Sequence, residues 1–221
     1  MRERSASFYF DLASPLCYLA AERVLHALAL PVQWHPVLAR ELTSAKRSPG
    51  APTNGSAPAG EEPLSTDLPA PAPTALGGEE RYRARIAELA RELALQPLRW
   101  PDEFPFDSAL AMRAATYANS IGRGVAFAQA AFRQAFAGGR DLGERDGVLI
   151  AAASCEMHPA AVLAALERQG IARELEQATA RAAGAGIVSV PALSVAGRVF
   201  AGEHALERAA AHAGTTAAGA P

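Results

Sequence analysis

The sequence predicts an α/β protein whose sheet-forming part is interrupted by an inserted all-helical domain. Three observations carry that expectation. The first 40 residues read strand, helix, strand; residues 79–184 keep a helical period almost throughout; short strands return only after residue 185, ahead of a closing helix. Half of the 221 residues are hydrophobic, enough for one compact core or two closely packed ones.

Taken in order, Ser7–Asp11 is short and aromatic, as a buried strand is. Pro15–Leu28 reads as one helix, with Leu16, Leu19, Val24 and Leu28 at helical spacing, and Pro31 closes it. Val32–Leu38 reads as a second strand. Pro36 removes a ladder donor there and so marks a sheet edge or the strand's end. Between Ser48 and Gly78 stand seven prolines (Pro49, Pro52, Pro58, Pro63, Pro69, Pro71, Pro73) with little to bury. The stretch 46–78 is therefore expected to be a flexible Pro/Gly-rich loop, a linker or a cover over a substrate.

From Glu79 a stripe of Tyr82, Ile86, Leu89 and Leu93 predicts an amphipathic helix, with Glu79 and Glu80 in its favoured acidic first turn. Further helices are expected at Asp107–Asn119, Gly124–Ala137, Glu144–Cys155, Pro159–Gln169 and Ala172–Ala183. Ser189–Val195 and Arg198–Phe200 flank Ala196-Gly197 as a hairpin, and Glu203–Ala213 closes with a helix. Residues 1–45 and 185–214 then form one split domain, 79–184 the helical insertion, and 215–221 a disordered tail. This order is that of a thioredoxin-like fold interrupted by an inserted all-helical domain.

A formal net charge of -2 gives no reason to expect nucleic acid or an anionic membrane as partner. No run reaches the ~18 apolar residues of a membrane span. The opening MRERSASFYF lacks the apolar core of a signal peptide, so a cytoplasmic protein is expected. Two cysteines, Cys17 and Cys155, lie far apart and make no disulfide scaffold. His26, His35, His158 and His212 lack metal-ligand spacing, and no metal is expected.

The stretch S-P-L-C at residues 14–17 holds the first candidate chemistry. Ser14 suits a helix N-cap and Pro15 the first helical position, where a missing N–H costs nothing. A thiol with a pKa of about 8.5 needs a shift of about two units, roughly 2.7 kcal/mol, to be a thiolate at neutral pH. A helix N-terminus supplies about 0.3–1 kcal/mol, up to about 2 when partly buried, and a hydroxyl bond to a charge about 1.5–3. Together they suffice. Ser14 is thus either a cap alone or a cap that also holds a thiolate brought by a small molecule. Cys17, one turn on, is either a small buried hydrophobe or a thiol able to form a mixed disulfide. Serine at position 14 rules out a disulfide within the motif. Val190-Pro191 is the second candidate: X-Pro is the bond where cis is cheap, and a cis bond would offer the Val190 backbone to an extended peptide.

The blocks F-Y-F-D-L-A-S-P-L-C-Y-L-A, W-P-D-E-F-P, A-M-R-A-A, F-R-Q-A-F-A-G-G-R-D-L and V-S-V-P-A-L-S-V-A-G-R-V-F-A-G-E occur in that order. Together they resemble the 2-hydroxychromene-2-carboxylate isomerase branch of the DsbA-like and kappa-class glutathione transferase family, over nearly the whole chain except 48–78. The resemblance implies a cofactor, glutathione or another low-molecular-weight thiol, whose sulfur Ser14 would activate. It implies that Val190 pairs with the cysteinyl backbone of that thiol and that Pro191 is cis. Pro15, Cys17, Trp100 and Phe104 would line the pocket of a small aromatic substrate. The branch's Asp-Arg pair after the last strand is replaced here by Gly202-Glu203-His204-Ala205. Glu203 and His204 are then the residues left to hold the γ-glutamyl end. The resemblance is consistent with a homodimer, to which no residue pattern points. The implied activity is isomerisation by reversible thiolate addition. Alternatives are a kappa-like transferase, a monothiol oxidoreductase acting through Cys17, or a non-catalytic binder of a thiol peptide or partner protein.

Overall fold

The structure, a computed structural model, describes residues 5–45 and 78–218. The loop expected at 46–78 lies outside the described residues except for Gly78, which begins a helix. Four strands form one sheet: β1 (Ala6–Phe10), β2 (Val32–Pro36), β3 (Ala192–Val195) and β4 (Arg198–Ala201), in the order β2-β1-β3-β4. β1 pairs parallel with β2 and antiparallel with β3, and β3 pairs antiparallel with β4. The sheet is thus closed by two chain segments separated by the helices, as a split domain requires. Pro36 is the last residue of an edge strand, where its missing N–H costs no ladder bond.

The helices are α1 (Pro15–Ala21), α2 (Val24–Ala27), α3 (Ala39–Ala45), α4 (Gly78–Glu92), α5 (Ala109–Ser120), α6 (Gly124–Phe136), α7 (Arg145–Ala153), α8 (Pro159–Glu167), α9 (Gln169–Gly184) and α10 (Ala205–Ala218). The single helix expected over Pro15–Leu28 is broken after Ala21. The break falls where two ion pairs leave in different directions: Glu22 to Arg133 of α6 at 2.7 Å, and Arg23 to Glu207 of α10 at 2.7 Å. The tail expected from residue 215 differs too. α10 runs on to Ala218, and the Thr215 hydroxyl donates back to the Ala211 carbonyl at 2.7 Å.

Alternation along β1 splits the core in two. Ala6, Phe8 and Phe10 face the larger core, where Phe10 meets Trp34 and Phe132 at ring-centroid distances of 5.7 and 5.8 Å. Tyr9 faces a smaller cluster of Val37, Leu42, Ala182, Ile187 and Ala192. Ala182 belongs to α9, which packs on β2 and α3. The last helix of the expected insertion therefore covers the sheet itself, because β2 and β3 need an apolar layer on that face.

Register decides where the chemistry gathers. Phe10 pairs with Pro36, Tyr9 with Ala192, and Ala192 with Ala201. So β1, β2 and β4 leave the sheet at the end where β3 enters it. Two bonds extend the ladder there: Val37 N–H to Phe10 O at 3.0 Å, and Gly202 N–H to Pro191 O at 2.9 Å. Segments 11–14, 37–39, 190–191 and 202–204 meet at this end.

Candidate functional site

Ser14 follows a turn closed by its own N–H, which donates to the Asp11 carbonyl at 3.0 Å. Its backbone is extended, and its Oγ accepts the Cys17 N–H at 3.2 Å, the N-cap bond of α1. Asp11 fixes the turn more firmly. Its two carboxylate oxygens accept from Ala13 N–H and Ala39 N–H, each at 2.9 Å, joining the start of α1 to that of α3. It is 4 % exposed. Burial raises its pKa, against the pull of those two N–H groups, the Ser108 hydroxyl and Arg40. Asp11 belongs to the site and was not singled out from the sequence; an Asp three residues before a capping Ser was the available sign.

The two sulfur readings of S-P-L-C separate here. Cys17 is 0 % exposed, and burial pushes its thiol up to about 12, although contact with the Ser14 hydroxyl pulls the other way. Desolvation outweighs the hydroxyl for a sulfur inside the core. The pocket role expected of Cys17 is corrected: it packs as a small apolar group. Pro15 is buried beside it, while Ser14 is half-buried. α1 also has only seven residues, so its dipole contributes at the low end, about 0.3–1 kcal/mol. With about 1.5–3 kcal/mol from one hydroxyl, the roughly 2.7 kcal/mol needed is only just met.

The Val190–Pro191 bond is cis, as the family resemblance implied. Among the described residues, neither the N–H nor the C=O of Val190 makes a backbone hydrogen bond. A cis bond also occurs at Phe104–Pro105, which the sequence reading did not anticipate.

Glu203 was expected to be a carboxylate facing the cofactor. Its side chain is 5 % exposed, and its Oε1 is held by Arg85 Nη2 of α4 at 2.5 Å. Arg85 also meets Glu88 at 3.1 Å and Glu92 at 3.9 Å. Glu203 is thus paired through space with an arginine that stands 118 positions earlier, on α4. His204 is exposed, with Nε2 at 3.5 Å from Glu203 Oε1.

Trp100 and Phe104 form an edge-to-face pair at 4.9 Å, and Arg83 of α4 lies over both rings, at 5.1 and 5.7 Å. Both pack on Phe136, which in turn meets Tyr18 of α1 at 5.8 Å. They reach α1 through that aromatic chain. Arg83 and Arg85, which the sequence reading did not single out, both sit on α4. An open hollow of about 580 Å³, lined by Gln129, Arg133, Gln134 and Ser154 among others, lies elsewhere, on the faces of α6 and α7. Among the described residues no group of three His, Cys, Asp or Glu is placed to hold a metal, and no helix is long and apolar enough to cross a membrane.

The family model described as a DSBA-like thioredoxin domain matches residues 6–213. Among solved structures, 2-hydroxychromene-2-carboxylate isomerase is similar at 14 % identity, with a TM-score of 0.78 and 96 % of each chain covered. A probable DsbA oxidoreductase from Streptomyces coelicolor is similar at 17 % identity, with a TM-score of 0.70, covering 99 % of this chain and 92 % of that one. The cytosolic disulfide reductase DsbM from Pseudomonas aeruginosa, solved with GSH, is similar at 16 % identity, with a TM-score of 0.62, covering 97 % and 99 %. At these identities the likeness is one of fold. No curated protein matches the sequence.

Proposed function

The chain belongs to the DSBA-like thioredoxin domain family, and within it we propose an isomerase that works through a small bound thiol such as glutathione. One observation carries this reading. The half-buried Ser14 hydroxyl stands at the sheet end beside the cis Val190–Pro191 bond, while the chain's own thiol three residues on is buried and held protonated. A sulfur ionised at that end at neutral pH is one brought in by a ligand.

The thiol's cysteinyl backbone would lie along Val190 as an added strand, with its sulfur at the Ser14 hydroxyl. Its ammonium would lie towards Glu203 and its carboxylate towards Arg85. Held there by Ser14 and Val190, the thiol would supply a nucleophile that adds reversibly to a conjugated aromatic enone, permits rotation about the bond that addition makes single, and leaves again unconsumed. Trp100 and Phe104 supply flat apolar surface for such a substrate.

The test uses 2-hydroxychromene-2-carboxylate, the compound named for the structurally similar isomerase, with and without glutathione. Isomerisation that depends on glutathione and is slowed about 10–100-fold in Ser14→Ala supports the reading. Equal rates without glutathione, or in Ser14→Ala, overturn it.

A further inference from the structure

Resting on that reading, we propose that the Tyr82 hydroxyl is a second hydrogen-bond donor to the sulfur of the bound thiol, completing with Ser14 a two-hydroxyl site. The argument begins with the face of α4. Tyr82, Arg85, Ile86 and Leu89 follow at steps of three and four, so they share one side of the helix. Arg85 reaches Glu203, immediately after β4, and so anchors this face over the sheet end where Ser14 and Val190–Pro191 meet. α4 also packs against α1. Tyr82, one turn before Arg85, is therefore carried to the α1 side of that end.

Its surroundings agree. The Tyr82 side chain is buried, at 5 % exposure, while its hydroxyl is not one of the sealed, unpartnered polar atoms among the described residues and so reaches the surface. A phenol whose ring is packed away while its O–H reaches the surface keeps a donor free for a ligand atom beside the candidate site. Burial raises its pKa, and nearby Cys17 raises it further, which places the hydroxyl within electrostatic reach of the first turn of α1. The phenol thus stays protonated at working pH and acts as a donor, never as a base. A second donor is also what the sulfur lacks, since the seven-residue α1 adds little to the Ser14 hydroxyl.

Tyr82→Phe removes the oxygen and keeps the ring. The probe is glutathione bound to the full chain, its thiolate followed by absorbance near 240 nm across pH, with the thermal midpoint recorded alongside. In Tyr82→Phe the pKa of the bound thiol is expected to rise by about one unit, a tenfold loss of thiolate at neutral pH, with KM for glutathione little changed. Ser14→Ala/Tyr82→Phe should lose the thiolate signal. A Tyr82→Phe protein whose thiol titrates as in the parent overturns the role of Tyr82 and leaves the function standing, whatever happens to its melting temperature. If the parent protein binds no thiolate, this role and the proposed function fall together.

Discussion

The two ends of the four-stranded sheet are built from the same strands and differ in almost everything else. At one end the chain turns through Ala196-Gly197, both with positive φ, and both residues are exposed. Beyond Pro31, whose carbonyl accepts the Ala6 N–H at 2.9 Å, little else happens there. At the other end a buried aspartate holds two backbone N–H groups, a peptide bond is cis, and an arginine from the helical part grips a buried glutamate. Burying charge and unpaired backbone is costly. The end that carries those costs is where the chemistry is to be sought.

The comparison can be broken at several points. The largest effect expected concerns Cys17. With its pKa pushed up to about 12, the thiolate fraction at pH 8 is on the order of 10⁻⁴, against roughly a quarter for an unfolded thiol. Iodoacetamide should label Cys17 at least about a thousandfold more slowly in the native protein than in urea, read by peptide mass spectrometry. Raising the pH speeds labelling up to that pKa. Fast native labelling would return the chain to the monothiol redox reading.

Next comes Ser14→Ala. The loss of one hydroxyl bond to a charged sulfur is expected to lower glutathione-dependent turnover by about 10–100-fold. The far-UV spectrum should be unchanged. A smaller effect follows at Glu203→Gln, which leaves Arg85 without its closest anion. Because Arg85 is about a third exposed, the cost in urea unfolding should be about 1–2 kcal/mol. Glutathione affinity, measured by calorimetry, should fall with it. Stability equal to that of the parent would show that the pair across the two parts of the chain holds nothing.

The smallest effect is expected at the quiet end. Gly197 has φ +82 with open space about its Cα, so Gly197→Ala meets no clash and pays only for the backbone, about 1 kcal/mol. Turnover should not change. A loss of activity there would mean that the two ends are coupled.

Much of this frame was legible in the chain. Apolar spacing gave the helices from Gly78 to Gly184 within a few residues, and the turn Ala196-Gly197 located the final hairpin. S-P before a helical period gave the N-cap at Ser14, whereas the cis bond at Val190–Pro191 was implied by the family resemblance. Such features are local: a cap, a proline and a period act over one or two turns. The break in the first helix was not legible, because the ion pairs at Glu22 and Arg23 reach partners more than 100 residues away. The residues of α4 were hidden for the same reason. Tyr82 reads as one position of a core stripe and Arg85 as a surface charge until Glu203 is brought to it.

By itself, then, the amino-acid order determined most of the element sequence, the serine that forbids an internal disulfide and the N-cap it forms, each set by short-range backbone chemistry. Tertiary structure alone decided that the Cys17 sulfur is closed to ionisation. It buried Cys17 and left Ser14 half-exposed, and desolvation depends on every neighbour that excludes water rather than on spacing along the chain. It also decided that Glu203 is answered by Arg85, since a buried carboxylate takes the nearest cation in space, wherever in the sequence it comes from.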